Sequence, residues 1–440
     1  MAHTQDSSDA ASCSRMPHSL GYVEFFSSYL SSNIPVIFGK PMVSAWPAFN
    51  LWTTNGSRHS NGTSNGSGEP LELHPNWDYL IAHYGHFRVT VADCSKYDEF
   101  GNQDRKTMLL HEVISKWKEN EHCSLYVKDW HLARDLEKEN QKSSPFYDTP
   151  VLFRDDWMNS YYTGHTDDDF RFVYMGAEGT FTPLHRDVYT SYSWSTNIFG
   201  RKRWWLFPPE QTPYLFMKNR NVNVYDIRKV DEEDFPDIRK AKPIVVEQEA
   251  GETIFVPSGW YHQVENLTFC ISINHNWCNS VNLPSLYASM CTKVVEVENA
   301  LEDVRELLSS QAHESNEWKA EWVQIVQNVV KQDAGWNWIT FWKMILHVLL
   351  NLHLQPCNQE TFPPAPSELR PAVSFVLDRV EACLDNFMTR DPVERSGDIA
   401  DILQQVQECC EKLRTRDSPL SQYHTAHPIS YTSFEASAVV

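Results

Sequence analysis

Residues 170–276 carry the pattern that most restricts the fold of this chain. Short runs rich in β-branched and aromatic residues follow one another there, separated by Gly, Pro or acidic turns. The runs cover Arg171–Met175, Tyr189–Phe199, Arg203–Phe207, Ile244–Glu247, Thr253–Val256 and Thr268–Trp277. Many short strands with closely spaced turns are typical of a sandwich or a barrel. The pattern therefore predicts a mostly β core.

The rest of the 440-residue chain divides around this core, which is assigned to residues 141–296. Residues 20–140 mix helical and strand patterns, which predicts an N-terminal α/β part that packs on the barrel. Residues 297–413 carry apolar side chains at helical spacing and predict a C-terminal helical extension. Composition predicts three further polar segments: a disordered tail at 1–19, a flexible insertion at 53–68 and a second tail at 414–440.

Charge and cysteine content limit the partners and the compartment. The formal net charge is -20, from 58 acidic and 38 basic side chains, so the average field repels a nucleic-acid backbone. We expect no direct nucleic-acid contact and a basic or neutral protein partner. The first twenty residues show no signal peptide, and no apolar run is long enough for a membrane span. The ten cysteines follow no CxxC or zinc spacing, which predicts reduced thiols in a cytoplasmic protein, with a nuclear location also open.

Three residues have the chemistry of an open iron site. His185 and Asp187 lie two residues apart, so on a strand they face the same side. His262 follows a Pro-Ser-Gly turn much later in the chain. Two imidazoles and one carboxylate leave three coordination positions open, which suits non-haem Fe(II) and O2 chemistry. The spacing alone is weak, because His165 and Asp167 repeat it in a Gly-His-Thr-Asp-Asp-Asp turn, which we interpret as a solvated acidic loop.

The context of these residues resembles a known family. Three segments are similar, in order and spacing, to the ligand-bearing segments of JmjC hydroxylases: VYMGAEGTFTPLHRD, SYSWSTNIFGRKRWWLFPP and AGETIFVPSGWYHQVENLTFCISINHNW. The resemblance implies a double-stranded β-helix, the jelly-roll or cupin fold, with Fe(2+) in the mouth of the barrel. It also implies 2-oxoglutarate and O2 as co-substrates, with succinate and CO2 as co-products.

The same resemblance assigns further residues to the 2-oxoglutarate pocket. Lys202 matches the lysine that pairs with the distal carboxylate, and Thr182 matches a hydroxyl that contacts the same group. Tyr126 corresponds to a tyrosine that closes the pocket, and Asn276 to an asparagine that lines it. Each has an ordinary alternative: a basic turn for Lys202, a turn residue for Thr182, a core side chain for Tyr126 and a strand cap for Asn276.

Alternation along the strands adds three smaller expectations. Ser193 and Ser195 share one face and could also contact the co-substrate. His275 lies between Asn274 and Asn276, so we expect it to point away from the site as a structural histidine. Trp204, Trp205, Trp260 and Trp277 are interpreted as core residues rather than a methyl-lysine cage.

The flanking segments LYVKDWHL, RFVYMG and SINHNW resemble those members that hydroxylate a lysine of the eukaryotic translation termination (release) factor. Protein lysyl hydroxylation is therefore the predicted reaction. The alternatives are N-methyl-lysine demethylation, which begins with the same hydrogen abstraction, and a non-catalytic cupin-like binding protein, which would lack the iron ligands or Lys202. In related hydroxylases C-terminal helices form dimer or substrate surfaces, so these helices could form a homodimer or could equally pack on the barrel.

Overall fold

The strands form where β-branched and aromatic side chains can be buried between two facing sheets. A computed structural model describes residues 13–18, 20–55, 73–98, 101–120, 122–139, 145–218, 220–311, 317–352, 362 and 364–417. Its strands in this part of the chain are β1 (Ser14–Met16), β2 (Val36–Phe38), β3 (Thr53–Asn55), β4 (Leu73–Pro75), β5 (Arg88–Tyr97), β6 (Gln103–Leu109), β7 (Leu125–Trp130), β8 (Arg171–Gly176), β9 (Phe181–Arg186), β10 (Tyr192–Phe199), β11 (Lys202–Phe207), β12 (Ile244–Gln248), β13 (Thr253–Val256), β14 (Tyr261–Asn266) and β15 (Cys270–Trp277).

Two sheets carry the barrel. In the described residues the larger has the order β1-β2-β13-β10-β15-β8-β7-β5-β6 and the smaller the order β12-β11-β14-β9, while β3 and β4 form a separate hairpin. Ile37 and Ile254 of the larger sheet share one buried cluster with Trp204, Leu206 and Val264 of the smaller. Because this cluster joins both sheets, they face each other across a common core. The predicted cupin fold class is confirmed.

The N-terminal part extends the larger sheet instead of only packing on it. Strand β2 pairs with β13, and β7 pairs with β8. An aromatic core backs this sheet, with Phe153 stacked on Trp194 at 5.9 Å and on Phe255 at 6.1 Å. Strand β7, and Tyr126 with it, is therefore fixed beside the barrel mouth by sheet hydrogen bonds.

Helices dominate after the barrel, as predicted. The α-helices of the described residues are α1 (Tyr22–Phe25), α2 (Pro47–Leu51), α3 (Trp77–Tyr84), α4 (Leu110–Glu119), α5 (Leu132–Lys138), α6 (Trp157–His165), α7 (Leu283–Ala300), α8 (Glu302–Gln311), α9 (Glu317–Ala334), α10 (Trp338–Asn351), α11 (Val373–Phe387) and α12 (Asp398–Asp417). The apolar faces of α7 and α9 to α12 bury a second core that also includes α6. Among the described residues, every helix is too short or too polar to cross a membrane.

Several segment boundaries differ from the sequence-based expectation. Ser14–Met16 is not part of a disordered tail, because it pairs in parallel with β2. Thr53–Asn55 forms a strand, and the remainder of the predicted insertion, 56–68, lies outside the described residues. Helix α7 begins at Leu283, earlier than the predicted helical region, and α12 continues to Asp417. Residues 418–440 of the second predicted tail also lie outside the described residues.

Candidate active site

Sheet register brings the two predicted histidine ligands together. His185 on β9 and His262 on β14 are direct cross-strand partners, and their ring centroids lie 4.2 Å apart. Asp187 Oδ2 lies 3.9 Å from His262 Nε2, and one ligand atom from each of the three residues falls within 4.8 Å of the others. Strand β9 ends at Arg186, so Asp187 follows the strand rather than lying in it, although its backbone stays extended at φ -58 and ψ 147.

Hydrogen bonds orient all three side chains. His185 Nδ1 lies 2.8 Å from the Pro183 carbonyl, and His262 Nδ1 lies 3.2 Å from the Trp260 carbonyl. A carbonyl can only accept, so each Nδ1 carries the proton and each Nε2 is left as a free electron-pair donor. Ser193 Oγ donates to Asp187 Oδ2 at 2.7 Å. Such outer contacts preset the ring tautomers and the carboxylate for metal binding.

The protonation state of His185 suits a metal ligand. Burial, and after it the neighbouring His262 ring, lowers the pKa of His185 to about 4. The imidazole is therefore neutral at neutral pH, and a neutral ring is the form that donates to a metal ion.

Lys202 lies in the same cavity as the three residues and has the properties of an anion-binding group. Its side chain is 2% exposed and donates from Nζ to Ser272 Oγ at 2.7 Å. Within the described residues no carboxylate lies within 4.0 Å of this ammonium. Burial lowers the pKa of Lys202 to about 8, which still leaves it mostly protonated at pH 7. A buried, unpaired ammonium is costly, so the cavity fits a carboxylate ligand.

The other predicted co-substrate residues also line this cavity, which encloses about 450 Å³ including its open mouth. Thr182 lies on β9 and Tyr126 on β7, and both side chains face the cavity. Burial raises the pKa of Tyr126, so it remains a neutral phenol. Asn276 donates from Nδ2 to Ser191 Oγ at 3.1 Å, which also ties the end of β15 to the chain before β10.

Of the residues expected from alternation, Ser193 and Ser195 have different roles. Ser193 contacts Asp187 and lines the cavity, whereas Ser195 Oγ donates to Asn274 Oδ1 at 3.0 Å. The prediction for His275 is confirmed: it is fully buried away from the cavity, with Nε2 2.6 Å from the Tyr147 hydroxyl.

Sequence reasoning missed two aromatic residues of the cavity wall. Trp204 stacks near His262 at 5.8 Å between ring centroids and donates from Nε1 to Gln248 Oε1 at 2.9 Å. The interpretation of Trp204 as core is only half right, since it is buried and also lines the cavity. It lies two residues after Lys202 on the same strand, so alternation could have found it. Tyr174 on β8 donates to Asp129 Oδ1 at 2.7 Å, and no comparable sequence pattern pointed to it as a cavity residue.

The second His-x-Asp sequence does not form an open site. His165 ends α6 and contacts His347 at 3.0 Å between ring nitrogens, while Asp167 is exposed. The expectation of a wholly solvated loop is wrong at Asp169, which is buried and bonds to His131 and Arg171 at 2.5 and 2.6 Å. The Arg171 guanidinium and the His131 ring already satisfy the carboxylate, so this cluster has the character of a structural ion pair centred on Arg171 and Asp169.

Comparisons with known proteins agree with this geometry. A model of the cupin-like domain matches residues 22–282. The chain is 34% identical over 409 residues to the 2-oxoglutarate and iron-dependent oxygenase JMJD4 of Danio rerio, which is 87% of this chain and 89% of that protein. It is also 34% identical over 341 residues to JMJD4 of Gallus gallus, or 74% and 72% of the two chains. The arginine-specific demethylase JMJ20 of Arabidopsis thaliana is 38% identical over 307 residues, or 66% and 62%. The chain therefore belongs to the cupin-like JmjC family of 2-oxoglutarate and iron-dependent oxygenases that includes the JMJD4 proteins.

Proposed function

We propose that this chain is an Fe(II)- and 2-oxoglutarate-dependent protein hydroxylase that acts on a lysine side chain of the eukaryotic translation termination (release) factor. One observation carries the oxygenase chemistry: two imidazoles and a carboxylate converge in a cavity that also holds a buried, unpaired ammonium. A metal ion and a dicarboxylate together satisfy that set of groups.

In this proposal His185, Asp187 and His262 hold the iron through Nε2, a carboxylate oxygen and Nε2. Bound iron and 2-oxoglutarate supply the oxidation, in which O2 converts 2-oxoglutarate to succinate and CO2 and one oxygen atom enters a substrate C–H bond. Lys202 pairs with the distal carboxylate of the co-substrate, and the Thr182 hydroxyl donates to the same group. Tyr126 and Asn276 close the walls and exclude water.

The choice of substrate has a narrower basis. The three segments that resemble the termination-factor lysyl hydroxylases supply cavity walls: β7 carries Tyr126, β8 carries Tyr174, and β15 carries Asn274 and Asn276. The net charge of -20 also favours a basic substrate segment, such as one that presents a lysine. Because translation termination takes place in the cytoplasm, the proposal places the protein there.

The test uses the full chain loaded anaerobically with Fe(II) and 2-oxoglutarate, then exposed to O2 with the termination factor. We expect succinate release that depends on the factor, together with a mass gain of one oxygen atom on a lysine. Asp187→Ala is the control and should release no succinate above background. Equal succinate release from the two proteins would contradict the oxygenase assignment. Factor-independent release with no modified lysine would contradict only the substrate.

A second candidate is removal of N-methyl groups from lysine or arginine. The name of the Arabidopsis thaliana relative, an arginine-specific demethylase, favours it. The same assay separates the reactions when methylated peptides replace the termination factor. Demethylation releases formaldehyde and lowers the peptide mass by one methylene, whereas hydroxylation raises the mass by one oxygen.

A further inference from the structure

The turn that follows Asp187 has an unusual backbone. Tyr189 has φ 58 and ψ 17, and Thr190 has φ 56, so two successive residues with side chains are left-handed. The sequence pattern predicts a strand from Tyr189, yet β10 begins only at Tyr192. Left-handed backbone costs free energy for such residues and persists only where surrounding contacts impose it.

The barrel supplies part of these contacts. Ser258 Oγ donates to the Thr190 carbonyl at 2.5 Å, and Asn276 Nδ2 donates to Ser191 Oγ at 3.1 Å. Both bonds act on the end of the turn nearer β10. Neither bond involves the side chain of Tyr189, which lies two residues after Asp187, so other contacts must hold that side chain in place.

The helical region provides that second support. The Tyr189 ring lies against Trp336 with centroids 3.9 Å apart and planes 32° apart. Trp336 is 3% exposed and belongs to the short connection between α9 and α10. The preceding Gly335, at φ +79, comes so close that a Cβ there would lie 2.7 Å from the Tyr189 hydroxyl. Phe170 completes the enclosure, with its ring edge-on to Tyr189 and the two centroids 5.9 Å apart.

We propose that the α9–α10 connection belongs to the metal site: Gly335 and Trp336 position the carboxylate of Asp187 by fixing Tyr189 in its left-handed conformation. This inference rests on the proposed role of Asp187 as a metal ligand. It makes Tyr189, Gly335 and Trp336 positioning residues, since none of them lines the cavity. The helical region then has a function in the site itself, in addition to any surface it offers to partners.

Metal affinity of the unloaded full chain tests the proposal, with Mn(II) as the probe and free Mn(II) followed by electron paramagnetic resonance. We expect Trp336→Ala to weaken Mn(II) binding by about tenfold or more, as loss of outer contacts to metal ligands does elsewhere. Trp336→Phe keeps a ring against Tyr189 and should bind within about threefold of wild type.

Trp342→Ala is the matched control. Trp342 is fully buried on α10, and its recorded ring contacts are to Phe341 and Phe387. Its removal should lower the melting temperature at least as much as Trp336→Ala while leaving Mn(II) affinity unchanged. Equal affinity in Trp336→Ala and wild type, or equal losses in both tryptophan variants, would overturn the proposal.

A variant at Gly335 tests the same proposal without removing a large buried side chain. Gly335→Ala places a methyl group against the Tyr189 hydroxyl and should weaken Mn(II) binding. Adding Tyr189→Phe removes that oxygen, and the nearest ring carbon is then 3.9 Å from the new Cβ. The double variant should therefore bind Mn(II) more tightly than Gly335→Ala, although the strain of an alanine at φ +79 remains in both. Equal affinity in the double variant and in Gly335→Ala would overturn the proposal.

Mn(II) titration of the wild-type chain distinguishes failure of the metal site from failure of the positioning role. If wild type and Asp187→Ala bind Mn(II) equally, the proposed metal site is wrong. If wild type alone binds tightly and the Gly335 and Trp336 variants match it, the metal site stands and the positioning role is wrong.

Discussion

The buried ammonium of Lys202 is the group in the cavity that most clearly requires a ligand of opposite charge. It is buried beside Ser272, and among the described residues it has no carboxylate partner. Its neighbours Arg201 and Arg203 lie 3.5 and 2.8 Å from Glu247 in partly exposed ion pairs. Three successive basic residues thus divide into one that faces the cavity and two that face solvent and are already paired.

Lys202→Ala should weaken 2-oxoglutarate binding about 10- to 100-fold, because a hydrogen bond to a charged group contributes about 1.5–3 kcal/mol. Titration calorimetry on the Mn(II)-loaded full chain measures this affinity. Arg201→Ala is the control and should change affinity less than about twofold, since exposed ion pairs contribute little. Comparable losses in both variants would mean that Lys202 is not the carboxylate partner.

The same residue predicts a pH dependence. Burial lowers the pKa of Lys202 to about 8, so the ammonium is protonated below that pH and neutral above it. Only the protonated form attracts the carboxylate, so affinity should be full below pH 8 and fall by up to about tenfold per pH unit above it. Lys202→Ala should bind weakly with no fall in this range. Burial also lowers the pKa of Lys128 to about 8, and a fall that persists in Lys202→Ala would assign the dependence to Lys128.

At the scale of elements, strand pairing determines where the ligands meet. Strands β9 and β14 place His185 opposite His262, and β11 on the other side of β14 places Leu206 opposite the same histidine. The β10–β11 connection sets the register of Lys202, and it turns at Gly200 with φ +81. A Cβ at Gly200 would lie 1.9 Å from the Phe269 carbonyl oxygen, so only glycine fits there.

Gly200→Ala should therefore lower the free energy of unfolding by about 2 to 5 kcal/mol, from left-handed strain together with overlap against the Phe269 backbone. Chemical denaturation of the full chain measures the change. Gly164→Ala on α6 is the control, because a Cβ there meets nothing within 4 Å. It should shift stability by less than about 1 kcal/mol, in the stabilising direction. Similar losses in both variants would contradict the steric explanation.

At the scale of the whole molecule, ligand binding and folding are linked. The proposed metal site needs β9, β14 and the turn after β9 in their folded positions, so the unfolded chain offers no equivalent site. Mn(II) at 100 times its dissociation constant should add about 2.7 kcal/mol to the free energy of unfolding. Scanning calorimetry should show a higher melting temperature that is reversed by a chelator. The same rise in Asp187→Ala would show that Mn(II) stabilises the chain elsewhere.

The local pattern of the sequence was sufficient for the strands and the helices. Alternation and turn residues predicted the β core, and apolar spacing predicted the helical region after it, where α11 buries Val376, Val380, Leu384 and Phe387 on one face. These features depend on neighbouring residues within one element, so they can be read from the chain directly. The candidate iron ligands and Lys202 were identified differently, from the resemblance of their surrounding segments to a family.

Long-range packing decided what the sequence left open. His165 and Asp167 repeat the spacing of His185 and Asp187, and each of the two histidines lies against a second imidazole from a distant part of the chain. The two pairs differ at the carboxylate, because Asp167 is exposed whereas Asp187 shares a cavity with both of its imidazoles. Trp204 became a cavity residue because the smaller sheet turns that face of β11 toward His262. Tyr189 left the predicted strand because Trp336, far away in the chain, packs against its ring. Local propensity favours an extended Tyr189, and tertiary contacts supply the free energy that holds it left-handed instead.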